Sequence, residues 1–511
     1  MIRSVAVSFI DILRYLLGFH LSSKAKFAIK ASLSIVIVYI IAFYQGWQSP
    51  STSAITISLV ASIGSLQDTL KKGAFRTIGT LIGAILGMIL IALYPQDRFD
   101  YLLSSSILVA LVFYIGRIYR GDTTILFLTG MTIMLVFQNN QAQDAFIYGL
   151  NRTYMTIFGV MVYTIVDVML WKETTPQEDN TLKPLLDIKD SLGIDKKHQL
   201  HLESSKIPNF NFYDTEAIKV AIVSFLVYWA SAFVWIYFNP AMGFYVVVLA
   251  TSFSFLTAFS PIHPLLLMML YTLAFIGALI SYIFILPNLT SMWQFDIYLF
   301  IYCFIAFYFI DLRASVFFII ALSTLNLAND MSYSFSFVAL SMLCFYMFLF
   351  VLLFFYYVPF STKAEYLYRV HHKKLFKTLA NMIKNRQKPK DIHTNARIVV
   401  DIINKMQMWA ESIDSRYFDI DKTKLQKLIT NAKKLTYLTM VYVYEYQDKN
   451  SDIDSYMIEV FKELEECSLK HTKDIDTTNL NYIQKDIYQI LKDTLVQCKD
   501  INFEKLKEGR F

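Results

Sequence analysis

The sequence predicts an all-α, polytopic membrane protein with two parallel repeats of six transmembrane helices, followed by a cytoplasmic helical bundle. Hydrophobic residues make up 55% of the 511 residues. They concentrate in twelve apolar segments, six within residues 27–171 and six within residues 217–358. A segment of about 17 to 24 residues can cross a hydrocarbon core of roughly 30 Å. Because a backbone in hydrocarbon must satisfy its own hydrogen bonds, these segments are predicted to be helical.

Local similarity between the two groups of segments indicates a duplication. Each group opens on the same tripeptide, has a proline near the end of its first helix and carries a similar run in its third segment. The matching pairs are Ala28-Ile29-Lys30 with Ala217-Ile218-Lys219, Pro50 with Pro240, and Ile82-Gly83-Ala84-Ile85 with Ile276-Gly277-Ala278-Leu279. Duplicated bundles of membrane helices are a common plan for transporters, whose substrate path lies between the halves.

The first repeat is predicted for residues 27–171 and the second for residues 217–358. An interfacial segment at residues 1–26 precedes them, and a polar cytoplasmic linker at residues 172–216 joins them. The individual spans are predicted near residues 27–45, 49–66, 74–93, 101–119, 122–138 and 147–171, and near residues 217–237, 241–258, 265–286, 297–310, 314–328 and 335–358.

Residues 359–511 are predicted to form a separate cytoplasmic helical domain. Apolar residues recur there at helical spacing and charged residues fill the other faces, as in the series Ile398, Ile402, Trp409 and Ile413. The pattern predicts four or five amphipathic helices packed as a bundle. The sequence leaves open whether this bundle is a structural or oligomerisation domain, or a regulatory surface for a partner.

Basic residues near the span ends predict the topology. They gather before the first span and after the second and fourth, whereas the opposite side has only Arg98 and Arg152. The positive-inside bias therefore places the N-terminus, the linker and the C-terminal tail in the cytoplasm. The net charge of +6 follows from this distribution of basic residues, so it does not indicate nucleic-acid binding.

No motif in the sequence indicates an enzyme, a cofactor or a metal site. The chain has no phosphate-binding loop, no nucleophile elbow and no metalloprotease or EF-hand pattern. Its four cysteines form no pair with metal-ligand spacing. We therefore predict a non-enzymatic protein without a cofactor or metal.

A glycine stripe and an arginine stand out in the third span. Gly79, Gly83 and Gly87 lie four residues apart, so they share one helix face and allow a neighbouring helix to approach closely. Helix packing is the simplest role for this stripe. Arg76 lies one turn earlier and has two interpretations: an anchor that extends to the membrane surface, or a guanidinium that attracts an anion at the mouth of a path.

Four further polar residues are candidates for the substrate path. Asp167 in the sixth span is either an anchor near the inner surface or a proton-carrying carboxyl. Arg152 lies on the same span but about 22 Å away, so the two cannot pair. Asn326 and Asn329 cap the outer end of the eleventh span, where they are turn residues or line the outer end of a path.

Several of these residues carry a resemblance to a known family. The run Lys72-Gly73-Ala74-Phe75-Arg76-Thr77-Ile78-Gly79-Thr80-Leu81-Ile82-Gly83-Ala84 resembles the Arg-x-x-Gly-Thr-x-x-Gly signature of the fusaric acid resistance proteins, also called aromatic acid exporters. Further similarities are Gly46-Trp47-Gln48-Ser49-Pro50, the set Arg152, Gly159 and Trp171, the Asn-rich turn from Asn326 to Phe335, and Val358-Pro359. The second half lacks the Arg-Gly-Thr signature, and Lys172 stands where the family has a proline.

The resemblance implies an inner-membrane, proton-driven exporter of aromatic or other weak organic acids. It also implies work with a periplasmic adaptor (membrane-fusion) protein and an outer-membrane channel, and the chain could form a homo-oligomer. Plant anion channels share the architecture of the first repeat, so a passive organic-anion channel is an alternative. A non-transport scaffold in the envelope and a membrane enzyme are two others.

Overall fold

The structure is a computed structural model of the chain. It describes residues 22–47, 50–61, 66–119, 121–139, 142–170, 185, 188, 192, 200, 202, 206, 208–212, 214–240, 243–310, 312–325, 327, 334–360, 362–386, 391–413, 422–445, 451–466 and 480–500. Residues 1–21 of the predicted interfacial segment and most of the linker lie outside these residues, and the last residues of that segment belong to the first helix, which begins at Ser23.

Seventeen α-helices form the described part of the chain, and no strand is found there. The helices of the first half are α1 (Ser23–Tyr44), α2 (Pro50–Ala61), α3 (Leu66–Leu93), α4 (Arg98–Ile118), α5 (Thr124–Leu135) and α6 (Ala142–Met169). Those of the second half are α7 (Thr215–Phe238), α8 (Tyr245–Thr257), α9 (Pro264–Ile280), α10 (Met292–Phe309), α11 (Leu312–Ser323) and α12 (Phe335–Tyr357). The tail helices are α13 (Ala364–Lys384), α14 (Ile392–Ser412), α15 (Lys422–Tyr444), α16 (Ser451–Glu466) and α17 (Tyr482–Asp500).

The all-α, polytopic fold class is confirmed. One helix lies at each of the twelve predicted segments, and seven helices are long and apolar enough to cross a membrane. Their outward faces carry large apolar side chains, such as Ile78, Ile82 and Ile85 on α3, each more than 40% exposed. These faces suit contact with lipid, where exposed apolar surface costs nothing.

Four segments predicted as full spans are much shorter helices. They are the second and fifth of each half, α2, α5, α8 and α11, with 12, 12, 13 and 12 residues. A 12-residue helix is about 18 Å long, less than the hydrocarbon thickness. In α8 the cause is local: Gly243 (φ 55°) precedes the helix and Phe259 (φ 52°) follows it, and neither conformation continues an α-helix. The predicted segment, residues 241–258, exceeds the helix by four residues at its start and one at its end, so composition alone overestimates the helix length.

The two halves pack alike. In the first, α3 contacts α5 and α6, and α2 contacts α6; in the second, α9 contacts α11 and α12, and α8 contacts α12. Contacts between the halves also come in matched pairs: α1 with α10 and α7 with α4, then α2 with α11 and α8 with α5. Each short helix therefore contacts one short helix of the other half, where the halves join. We call this zone, formed by α2, α5, α8 and α11, the seam.

The tail is a bundle of five helices with an apolar core. Helix α13 packs against α14 and α16, and α15 packs against α14 and α17. Trp409, Tyr437 and Phe461 are among its fully buried side chains. The bundle touches the membrane half through His371 and Lys405, both of which contact Glu216 in the first turn of α7.

Candidate functional site

The seam is lined with buried hydroxyl groups. They belong to Ser53, Thr56 and Ser58 on α2, Thr129 and Thr132 on α5, Thr251, Ser252 and Ser254 on α8, and Ser315 on α11. Some bond to the backbone of their own helix; the Ser58 hydroxyl, for instance, donates to the carbonyl of Ala54 over 2.6 Å. The hydroxyls of Thr132, Thr251 and Ser252 have no partner.

Unpartnered hydroxyls in a buried position are costly, because each has lost its water without gaining another hydrogen bond. Thr132 belongs to the first half, and Thr251 and Ser252 belong to the second, on two helices that pack together across the seam. Buried polar groups of both halves therefore lie on two helices that contact each other. Such an arrangement suits the passage of a small polar solute.

Arg76 lies inside the protein, at one end of the seam. Its side chain is only 6% exposed, and its Nη1 donates to the carbonyl of Thr56 on α2 over 3.4 Å. The opposite charge that acts on it is Asp122, which also accepts a hydrogen bond from the backbone of Thr124 at the start of α5. Arg76 Nε and Asp122 Oδ2 are buried without a partner. A buried guanidinium does not fit the interpretation as an anchor at the membrane surface.

Arg117, which sequence reasoning counted only as a topology signal, holds the end of α8. Its Nη2 donates to the carbonyls of Phe255 and Ala258, the latter over 2.8 Å. Its guanidinium also lies 5.0 Å from the centroid of the Phe255 ring. Each half thus has one short helix, α2 or α8, whose carbonyls accept from an arginine of a neighbouring helix.

Asp167 forms a buried ion pair with Lys30. The Lys30 ammonium lies 2.7 Å from Asp167 Oδ1, and the two side chains are 7% and 11% exposed. This contact joins the first and last helices of the first half. Sequence reasoning missed it because the partners are 137 residues apart and Lys30 was read as a topology signal. Asp167 is therefore neither unpaired nor exposed at the surface.

The glycine stripe of α3 faces α5 at very short distance. A Cβ atom at Gly83 would lie 2.6 Å from the Thr129 carbonyl oxygen and 2.8 Å from Cβ of Thr132, and one at Gly79 would overlap the carbonyl of Ile125. At Gly87 the nearest atom would be the Ile133 carbonyl oxygen, at 2.9 Å. The hydroxyl of Thr129 donates across the crossing to the Gly79 carbonyl over 3.1 Å.

The remaining candidates are not brought to the seam by any described contact. Arg152 is half-buried on α6, and among the described residues no hydrogen bond or ion pair joins it to Asp167 or Arg76. Asn326 and Asn329 lie outside the described residues. Among the residues that are described, no group of three or more histidine, cysteine or acidic side chains is placed to hold a metal ion.

A charged junction connects the membrane half to the tail. Lys405 Nζ lies 2.6 Å from Asp214 Oδ2 and 2.7 Å from Glu216 Oε2, while His371 Nε2 lies 2.7 Å from Glu216 Oε1. The amide of Asn211 donates to Asp401 over 2.6 Å. Burial lowers the pKa of Lys405, but Glu216 and Asp214 outweigh it, so the net pKa is raised and the ammonium stays charged.

Comparison with known proteins bears on the first half. Residues 24–187 match the model of the fusaric acid resistance protein family. The resemblance to that family is confirmed for this part of the chain. The matched range contains the glycine stripe, Arg76 and the Lys30–Asp167 pair.

Two relatives match part of the chain at low identity. A UPF0421 protein of Oceanobacillus iheyensis is 26% identical over 142 residues, which cover 28% of this chain and 39% of the relative. The p-hydroxybenzoic acid efflux pump subunit AaeB of Edwardsiella tarda is 24% identical over 161 residues, or 29% of this chain and 24% of the relative. The matches thus span well under half the length of these relatives. No solved structure matches the chain.

Proposed function

We propose that the protein is a secondary exporter of aromatic or other weak organic acids in the bacterial inner membrane, without enzymatic activity. The seam carries the proposal: unpartnered hydroxyls of both halves lie on α5 and α8, which contact each other, and the buried Arg76 donates to a carbonyl of α2. The family match and the efflux pump relative support a transport role.

In this proposal Arg76 attracts the anion, because a guanidinium keeps its charge at every physiological pH. The hydroxyls of Thr132, Thr251 and Ser252 replace part of the water around the solute as it crosses the seam. Arg152, Asn326 and Asn329 remain candidates for the outer part of the path.

The Lys30–Asp167 pair is the proposed site of proton coupling. Protonation of Asp167 leaves the Lys30 ammonium buried without its counter-ion, a strongly unfavourable state. Proton arrival at this site therefore changes the stability of the contact between α1 and α6. We propose that the change in contact drives export, with a periplasmic adaptor and an outer-membrane channel as partners and with the tail in the cytoplasm.

A growth assay tests the proposal. A strain that lacks the protein is exposed to a series of aromatic acids and carries a plasmid with the wild-type chain, Arg76→Gln or Arg76→Lys. We expect the wild type to restore resistance, Arg76→Gln to lose most of it and Arg76→Lys to keep part of it. Equal sensitivity with and without the wild-type chain to every acid would contradict the proposal. A passive channel is the alternative, and it predicts resistance that does not depend on the proton gradient.

A further inference from the structure

We propose that Lys219, together with Phe259 and Phe360, forms a subsite for the carboxylate of the organic acid. This inference rests on the proposed function. Lys219 lies in the second turn of α7 and is partly exposed. Its ammonium is 5.6 Å from the centroid of the Phe259 ring and 5.5 Å from that of Phe360. Within the part of the chain that the structure describes, it makes no hydrogen bond and no ion pair.

The equivalent lysine of the first half shows what Lys219 lacks. Lys30 occupies the same place in the repeated tripeptide and pairs with Asp167 on the last helix of its half. The last helix of the second half, α12, contains no acidic residue at all. The duplicated lysine is therefore present in both halves, but its acid is present in only one.

The nearest acid on the same helix is occupied elsewhere. Glu216 precedes Lys219 by three residues, a spacing at which opposite charges normally pair. Both Glu216 oxygens point instead to the tail, Oε1 to His371 and Oε2 to Lys405, each over 2.7 Å. Asp214 is also held by Lys405, at 2.6 Å. The tail thus holds the carboxylates of both Glu216 and Asp214.

The surroundings of Lys219 indicate the class of ligand. A partly buried ammonium beside two phenyl rings, here with centroids 6.2 Å apart, attracts a carboxylate more strongly than a lysine in water does, because the local dielectric is lower. The rings supply apolar surface for the body of the same molecule. Arg117 lies close by and bonds the carbonyl of Ala258, next to Phe259, so it adds positive charge without competing for the ligand. A monocarboxylate with an aromatic or other apolar body fits this site.

Benzoate binding to the full chain tests the subsite. The protein is placed in nanodiscs of phosphatidylcholine, so that no anionic headgroup competes, and titrated by calorimetry. We expect Lys219→Met to weaken benzoate binding at least tenfold and Lys219→Arg to stay within about threefold of the wild type, since a hydrogen bond to a charged group contributes about 1.5–3 kcal/mol. Lys373→Met is the matched control. Lys373 lies in the tail, its side chain is 56% exposed, and its ammonium is 3.7 Å from Glu465 Oε1.

A second variant tests the part played by the tail. Lys405→Met releases one Glu216 oxygen, which can then pair with Lys219, so benzoate binding should weaken. Lys405→Met combined with Glu216→Gln should restore it, because the competing carboxylate is gone.

The outcomes separate the subsite from the function. If the wild type binds and exports aromatic acids and Lys219→Met does both equally well, the subsite is wrong and the exporter stands. If the wild type neither binds benzoate nor exports any acid, both proposals fail. Size-exclusion chromatography of each variant excludes misfolding as the cause of a loss.

Discussion

At the scale of single residues, the buried charges of the membrane half are held by specific partners. Lys30 and Asp167 pair directly, and Arg76 and Arg117 donate to backbone carbonyls in or next to the short helices α2 and α8. Asp167 and Arg76 could be selected from the sequence, since an ionisable residue in an apolar span is unusual. Their partners could not, because hydropathy and charge counts contain no information about which distant helices touch.

The Lys30–Asp167 pair makes a prediction about stability and coupling. Asp167→Asn leaves a buried lysine without its counter-ion, so it should destabilise the protein by about 3–5 kcal/mol and lower its membrane level. The double change Lys30→Met with Asp167→Leu removes both charges and should restore the level. Quantitative immunoblots of membranes measure the amount of each variant. In transport assays the double variant should move substrate without proton dependence, and retained dependence would contradict the coupling role of the pair.

His372 in the tail makes a prediction about acid sensitivity. Its side chain is fully buried on α13, and burial, with a contribution from Arg369, lowers its pKa to about 3. An unfolded histidine has a pKa of about 6.5, so the unfolded state binds the proton first as the pH falls. The tail should therefore lose stability between about pH 6.5 and pH 3, by up to roughly 2 kcal/mol at pH 5.

The measurement is pulse proteolysis of the tail in the purified full chain, from pH 7 to pH 5. Replacing His372 by phenylalanine keeps an aromatic ring beside Phe376, whose ring centroid lies 4.8 Å away. The substitution should flatten the pH dependence. An unchanged pH dependence in His372→Phe would show that other groups cause the acid sensitivity.

At the scale of elements, the close crossing of α3 and α5 depends on the glycines of α3, which place no side chain between the two helices. The small residues could be recognised from their spacing in the sequence, although the spacing did not identify α5 as the partner. The lengths of α2, α5, α8 and α11 were the least predictable feature. In α8 the ends are set by Gly243 and Phe259 at positive φ, which hydropathy alone does not indicate.

A substitution at the crossing tests its packing. Gly83→Leu should destabilise the protein by at least the 1–3 kcal/mol typical of overpacking, because its Cβ would meet the α5 backbone and the structure offers no room. Ile85→Leu is the control, since Ile85 lies on the same helix and is 45% exposed on the lipid side. Thermal unfolding in detergent compares the two. Equal melting temperatures for Gly83→Leu and the wild type would mean that α3 and α5 do not cross so closely.

At the scale of the whole molecule, the duplication organises the fold. Repeated short motifs in the sequence predicted two similar halves, and the matched contacts of the short helices follow that plan. What the sequence could not predict is the asymmetry within it. The pair at Lys30 has no counterpart at Lys219, and the tail is attached to the second half through Glu216.

The first prediction for the whole molecule concerns its topology in the membrane. The excess of basic residues on one side predicts that the linker and the tail lie in the cytoplasm. Reporter fusions at Asp179 and Phe511 should be active only as cytoplasmic reporters, and a fusion at Gln141 only as a periplasmic one. Periplasmic activity at Phe511 would contradict an even number of spans.

Transport by the purified protein tests the central claim most directly. The full chain is reconstituted in proteoliposomes, and uptake of labelled benzoate is measured with and without an imposed pH gradient. The account predicts accumulation against the benzoate gradient when protons leave the lumen, abolished by a protonophore and strongly reduced in Arg76→Gln. No uptake, or uptake that only equilibrates benzoate and is unaffected by the protonophore, would contradict proton-driven export.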